Sequence, residues 1–218
     1  LMYVGKAGAR DVITNILLLT NGGTLFSTGD VFIGRGYVSG GTSNNAYNNL
    51  AYIVGGAYGD STWNLGGTNM SIGSSLSTGN WLEVYSGGIV SNINVLAVGF
   101  DVNRASNGVM LQGGTLRTAY AIVDHGSLFM RGKAGSDFSI GTLNVTNSGG
   151  QPGTLAVEFA GGGVDPIKVS GTATFASGCY ISPSVPAGFR NAWISSTILT
   201  ASGGINNQGL MLDPAADS

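Results

Sequence analysis

Laid over each other at an offset of sixty-five positions, "NILLLTNGGTLFSTGDVFIG" (residues 15–34) and "NWLEVYSGGIVSNINVLAVG" (residues 80–99) align without a gap. Leu17 meets Leu82, Leu19 meets Val84, and Gly22-Gly23 meets Gly87-Gly88. Leu25 then meets Val90, Val31 meets Leu96, Ile33 meets Val98 and Gly34 meets Gly99. A looser third copy, "GVMLQGGTLRTAYAIV" (residues 108–123), breaks at Gly113-Gly114. The step from Gly73 to Gly87 equals the step from Gly99 to Gly113, and Val4-Gly5, Ile33-Gly34, Ile72-Gly73 and Val98-Gly99 punctuate the chain.

Apolar residues alternate within each copy, as Leu82 and Val84 do, and a period of two marks strands with one buried face. The Gly-Gly and Asn-rich joints supply positive φ at low steric cost and let the chain turn sharply. A copy of about 26 residues, built as strand, turn, strand, turn, cannot bury its inner face alone. Stacked copies can, which is the logic of repeat architectures. The expected fold is all-β, a parallel β-helix or β-solenoid, with a β-sandwich or propeller-like arrangement as the alternative. Propeller blades repeat at about 40–50 residues, longer than the spacing here. About eight coils at roughly 4.8 Å per stacked strand give a rod on the order of 40 Å long.

Composition supports this reading and excludes others. Of 218 residues 38 are Gly, and only 9% are charged against a usual share of about 25%. A hydrophobic content of 43% excludes a solvated disordered chain. The net charge of −2 comes without a basic stripe, which argues against a nucleic-acid partner. Apolar runs are broken well before the roughly 18 residues of a membrane-spanning helix. The chain opens on "LMYVGKAG", which already has the texture of a repeat interior, so a piece of a longer protein is expected. Cys179 is the single cysteine. Its setting, "TFASGCYIS", fits a small apolar filler in a strand.

After residue 150 the texture shifts, with all five prolines and an expectation of longer strands. A soft boundary near Ser148–Gly153 separates regular Gly-rich coils (1–150) from a continuation with wider, less regular coils (151–218).

Two stretches carry a family resemblance. "GDSTWNLGGTNMSIGSSLSTGNWLEVYSGGIVSNINVLAVG" (residues 59–99) has a Ser-x-Trp start at Ser61 and Trp63, then an Ile-Gly pair, an apolar strand and Gly-Gly. It resembles the repeat of bacterial autotransporter-type and PEP-CTERM-associated surface proteins. The segment from Gly153 to Gly204, with "Leu-x-Val" and "Ile-Leu-Thr-Ala-x-Gly-Gly-Ile" strands, is similar to the coils that precede the C-terminal part of such passengers. The resemblance implies a right-handed parallel β-helix, exported from a Gram-negative-type bacterium, that acts as a stalk, an adhesin or an assembly subunit. It carries no general catalytic motif, and the chain shows neither a translocating barrel nor a Pro-Glu-Pro anchor.

The enzyme alternative needs carboxylates clustered on adjacent coils, for cation binding or for acid/base work on sugars. The eleven acids are instead scattered, and Asp30, Asp60, Asp165 and Asp213 directly flank Gly or Pro. Convergence of three of Asp60, Glu83, Asp101, Asp124 and Asp137 beside Arg or Lys would favour that alternative. Asp124-His125 brings the single His to an acid without a nucleophile or a second metal ligand, and reads as a turn. Gly5-Lys6-Ala7-Gly8 and Gly132-Lys133-Ala134-Gly135-Ser136 lack the spacing of a phosphate loop. "GGGVD" (residues 161–165) is a lone fragment of a calcium nonapeptide. An ice-binding face would need regular Thr rows, for which Thr24, Thr62, Thr115 and Thr142 look too irregular.

Among aromatics, Trp63, Trp81 and Trp193 are expected to be inward residues or coil-end plugs rather than a glycan-stacking strip. Tyr37, Tyr47, Tyr52 and Tyr58 lie in "GYVSGGTSNNAYNNLAYIVGGAYG", where the repeat fails. Breaks in a repeat are where protruding loops and binding usually reside. These four are the candidate ligand contacts. No catalytic residue, cofactor site or metal site is expected. The expected function is a non-enzymatic extracellular or bacterial cell-surface structural or adhesive protein, with a glycan-binding or glycan-degrading β-helix as the alternative. Expected partners are a second copy or neighbouring domains at the open ends, and a glycan or host surface. Neither a nucleic acid nor a membrane-spanning segment is expected.

Overall fold

The structure is a computed structural model that describes residues 1–8, 10–39, 42–100, 106–160, 163–186 and 195–214. The described residues are all-β, with no helix and with parallel sheets. The chain runs in circuits. From Leu50–Ile53 it passes through Ser61–Ser74 and Ser77–Thr78, and returns as Trp81–Tyr85 beside its starting strand. That return is parallel, with Leu82 opposite Ala51 and Val84 opposite Ile53.

Repetition of this circuit builds two large sheets. An eight-stranded sheet runs from Ile16–Leu19 through Leu50–Ile53, Trp81–Tyr85, Asn107–Gln112, Gly126–Arg131, Thr154–Glu158 and Tyr180–Ser184 to Met211–Leu212. An eleven-stranded sheet carries Met2–Lys6, Val31–Arg35, Ser61–Ser74, Gly88–Phe100, Thr115–Val123 and Asp137–Val145, then pairs of short strands. Val12–Ile13, Ala46–Tyr47 and Ser77–Thr78 form a narrow third sheet. Among the described residues, the antiparallel strand pairs are two small hairpins, Tyr37–Ser39 with Thr42–Asn44 and Asn147–Ser148 with Gln151–Pro152.

Strict register turns the period of two into columns. Leu17, Ala51, Leu82, Val109, Leu128 and Leu155 follow one another across the eight-stranded sheet. Ile33, Ile72, Val98, Val123, Val145 and Phe175 do so across the other. Both columns belong to one apolar core cluster that extends to Cys179. The offset of sixty-five is therefore two circuits, with Ala51 standing between Leu17 and Leu82, and Ile72 between Ile33 and Val98.

Two sequence expectations are corrected. The repeat does not fail throughout residues 35–58. Only the hairpin at Tyr37–Asn44 leaves the pattern, and Ala46–Tyr47 and Leu50–Ile53 are back in parallel register with strands on both sides. Ala51 stands in a column that is otherwise mostly Leu or Val, and Tyr52 between Leu18 and Glu83, which hid the strand. Strands beyond residue 150 are not longer. Ile167–Val169, Ala173–Phe175, Leu199–Ala201 and Ile205–Asn207 have three residues each, because Ser170-Gly171-Thr172 and Ser202-Gly203-Gly204 break each rung in two.

The corner before the eight-stranded sheet holds an asparagine ladder. Asn49 Oδ1 accepts hydrogen bonds from the backbone N and Nδ2 of Asn15 at 3.1 and 2.8 Å. Asn80 Oδ1 accepts the equivalent pair from Asn49 at 3.0 and 2.7 Å, and Asn107 Oδ1 the pair from Asn80 at 3.1 and 2.9 Å. Asn49, Asn80 and Asn107 are buried. Three of the four Ile/Val-Gly pairs make room for them, while Gly99 of the fourth faces the His125–Gly126 backbone. Gly34 has φ of 72°, and a side chain there would overlap the Asn80 carboxamide. Gly5 and Gly73 face Asn49 and Asn107 in the same way.

Candidate functional site

Alternation sends every second strand residue outward, so chemistry on this fold is displayed on sheet faces and at the corners between them. The four candidate tyrosines are dispersed over that surface. Tyr58 sits at the Gly56–Gly59 turn with 85% of its surface exposed, and Tyr47 is half-buried in the narrow sheet. Tyr52 faces outward from the eight-stranded sheet and stacks on Tyr85, ring centroids 4.6 Å apart. That pair edges a cleft of about 320 Å3 with Val54, Ser86, Gln112 and Ala134. Burial pushes the Tyr85 phenol up, and its hydrogen bond to Glu83 Oε2 at 2.9 Å adds to the effect. Tyr37, the first residue of the inserted hairpin, lines a separate cleft.

That second cleft encloses about 440 Å3 between Tyr3, Lys6, Arg35, Gly36, Tyr37 and Ser75. Met2–Lys6 and Val31–Arg35 are neighbouring parallel strands, which puts Tyr3 opposite Phe32 and Lys6 directly opposite Arg35. The Tyr3 and Phe32 rings stack at 5.3 Å with an interplanar angle of 19°. Lys6 Nζ lies 4.7 Å from the Tyr3 ring centre, the Arg35 guanidinium lies 4.5 Å from that of Phe32, and Arg35 donates to Tyr3 Oη at 3.2 Å. Both cations therefore rest on ring faces.

A third, larger groove of about 650 Å3 runs along the eleven-stranded sheet where its strands bend. Arg117, Ser139, Lys168 and Thr200 form one wall column, and Ala119 and Gly141 lie at its floor. Its charges are satisfied internally. Asp137 accepts from Arg117 at 3.1 Å, Lys168 at 3.0 Å and Ser139 at 2.9 Å. Burial pulls the Asp137 carboxyl upward, but the bonds from Lys168, Ser139 and Arg117 prevail and hold it below its ordinary value. A carboxyl depressed in the folded state contributes stability that is present above its unfolded value, about 3.9, and is lost as pH falls through the folded value. Asp137→Asn is expected to flatten the acid limb of the stability profile below about pH 4, measured by urea unfolding at stepped pH.

The remaining acids do not gather. Glu83 lies on the other sheet, Asp60 precedes Ser61 at a turn, and Asp101 falls outside the described residues. Asp11 and Asp30 accept backbone N–H bonds from Asn45 and Asn69 on neighbouring circuits. Asp165 does the same for Ala134 and Ser136, at 2.8 and 2.7 Å, which engages two backbone donors of the Gly132–Ser136 loop. Gly161 and Gly162 of the "GGGVD" fragment are outside the described residues. Among the described residues, no group of three His, Cys, Asp or Glu side chains is placed to hold a metal ion.

Asp124 and His125 follow the strand Thr115–Val123 and fasten the hairpin that comes next. His125 Nε2 is 2.7 Å from Ser148 O, its Nδ1 is 3.1 Å from both Gly99 O and Asp124 Oδ2, and Asp124 Oδ1 accepts from Thr146 Oγ1 at 2.6 Å. Trp63 points inward, fully buried, and donates to Ser27 Oγ at 3.0 Å. Trp81 does not. It lies outward over Gly108, where any side chain would strike the indole, while Trp193 is outside the described residues. Thr24, Thr62 and Thr115 do share one outward column, interrupted by Ile89.

Cys179 is fully buried, its Sγ lies 3.3 Å from Val145 O, and burial pushes its thiol up. A disulfide-based thiol reagent is expected to label it only after unfolding, since the reactive species is an accessible thiolate. Rapid labelling of the native protein would contradict that burial.

Sequence reasoning missed Lys6 and Arg35, which line the Tyr37 cleft, and Arg117 and Lys168, which wall the larger groove. For the first pair the signal was present: Val4-Gly5-Lys6 and Ile33-Gly34-Arg35 place a cation at the same step of the repeat, whereas Ile72-Gly73-Ser74 and Val98-Gly99-Phe100 do not. Compared with protein-family models, with curated proteins and with solved structures, the chain matches none.

Proposed function

We propose that the chain is a right-handed parallel β-helix whose work is structural and adhesive at a bacterial surface, and that it is not an enzyme. The observation that carries this reading is the parallel pairing, in unbroken register eight strands deep in one sheet and continued circuit by circuit, with local register shifts, in the other. Sandwiches and propellers are built from antiparallel neighbours, whereas parallel circuits with one continuous core are what stacked coils produce. The repeat patterns at residues 59–99 and 153–204 support export and a surface setting.

The first and last strands of such a helix leave backbone donors and acceptors unpaired, which invites another strand to add. Ile16, Leu18, Ile205 and Leu212, on those outer strands, are exposed by 64%, 59%, 57% and 72%. They support end-to-end association of copies or of adjoining domains. Small-angle scattering and sedimentation test this together. An elongated particle of constant cross-section whose length grows with concentration is expected, and an isometric particle would refute the reading.

The glycan alternative is favoured by one observation, the cleft that sets the cations Lys6 and Arg35 beside the Tyr3 and Tyr37 rings and the Ser75 hydroxyl.

A further inference from the structure

We propose that the cleft between Lys6 and Arg35 binds an acidic glycan, through a carboxylate or sulfate group that bridges the two cations. Like charges directly opposite each other on adjacent strands are destabilising, and this fold otherwise keeps charge rare. Here two cations stand side by side at one step of the repeat. Among the described residues the ion pairs are Arg117–Asp137, Lys168–Asp137, Arg131–Glu158 and His125–Asp124, and none includes Lys6 or Arg35. The larger groove shows the contrast, because there Asp137 already occupies the position an anion would take.

The shape of the cleft says more than its charge. Tyr3 and Phe32 hold the cations from below and fix where they point. Tyr37, 41% exposed, adds an aromatic flank from the inserted hairpin, with Ser75 nearby. Aromatic rings with a polar edge suit the apolar faces and hydroxyls of a sugar ring. Charge-assisted bonds from a guanidinium and an ammonium suit its acidic group. A nucleic-acid strand is disfavoured, since such partners need a cationic track along the backbone and this chain carries a net charge of −2. The inference rests on the surface setting proposed above for the source of the glycan, but the binding itself does not depend on it.

The test is calorimetric titration of the full chain with an oligogalacturonate, a heparin-derived oligosaccharide, a neutral cello-oligosaccharide, single-stranded DNA and free sulfate. Binding of either acidic oligosaccharide, carboxylated or sulfated, that weakens as salt rises is expected, with neither the neutral sugar nor free sulfate matching it. Lys6→Gln with Arg35→Gln should weaken binding by at least about tenfold while the unfolding midpoint holds or rises, because repulsion is relieved. Arg117→Gln with Lys168→Gln should leave the affinity unchanged. The proposal is overturned if neither acidic sugar binds, or if the Lys6/Arg35 variant binds as wild type. It is equally overturned if the Arg117/Lys168 variant is the one that loses binding, or if single-stranded DNA or free sulfate binds as tightly as the acidic sugars. Scattering of the same variant separates this failure from failure of the β-helix reading.

Discussion

Asn80→Ala is expected to lower the free energy of unfolding by on the order of 3 kcal/mol, from about 1–3 kcal/mol for each buried group left without a partner. Asn80 is wholly buried, and its carboxamide is the middle link of a chain of four. Removing it strands the backbone N–H and Nδ2 of Asn49, takes a side-chain donor from Asn107 Oδ1, and frees the Ala46 carbonyl that Nδ2 reaches at 3.3 Å. Gly34 packs closely against the carboxamide on the same side. Asn15→Ala supplies the control. Asn15 is exposed and donates only, so its loss should cost about 1 kcal/mol or less. Denaturant titrations of the two variants would decide the matter, and equal costs would mean that the ladder is not cooperative.

Trp63→Ala is expected to cost about 3–5 kcal/mol, the range for truncating a large buried aromatic. The indole stands between Leu25 and Val90 in one core column. Strands above and below are pinned by their own ladders and cannot collapse into the space. Trp63→Phe separates packing from hydrogen bonding. It keeps much of the volume but leaves Ser27 Oγ without its indole donor, so about 1–2 kcal/mol is expected for it. Thermal unfolding of both variants checks the order, and a Phe variant as damaged as the Ala variant would show that the hydrogen bond dominates.

Leu17, Leu82, Ile33 and Val98 made the fold class legible in the sequence, because alternation survives wherever large aliphatics line a core. The intermediate circuit was hidden by its residues. Ala51 fills a Leu position, and Trp63 replaces Leu25 or Val90. The eight-residue hairpin at Tyr37–Asn44 also shifts the count just before them. Sequence offset measures chain length, whereas register measures position in space, and the two part company wherever a loop is inserted. The same gap obscured the ladder. Asn15, Asn49, Asn80 and Asn107 are unevenly spaced along the chain, and each looks like an ordinary turn residue until three neighbours are stacked on it. The tyrosines stand out in the sequence where the pattern breaks, and Tyr37 lines the cleft that also holds Lys6 and Arg35. Those cations sit inside the regular pattern, one step after a glycine that reads in the sequence simply as a turn residue.

The hairpin at Tyr37–Asn44 has a consequence for how such a chain can diversify. It leaves from Val31–Arg35 and rejoins at Ala46–Tyr47, and neither flanking strand moves out of register. The chain likewise covers the step from Gly108 to Ser127 in far fewer residues than the step from Ile16 to Leu50, with the same pairing at either end. Length between rungs is thus a free variable, decoupled from the scaffold that holds it. New segments can be inserted, exchanged or lost at the corners while the spine keeps its geometry. Specificity can then change by graft, without the rest of the molecule having to be refolded around it.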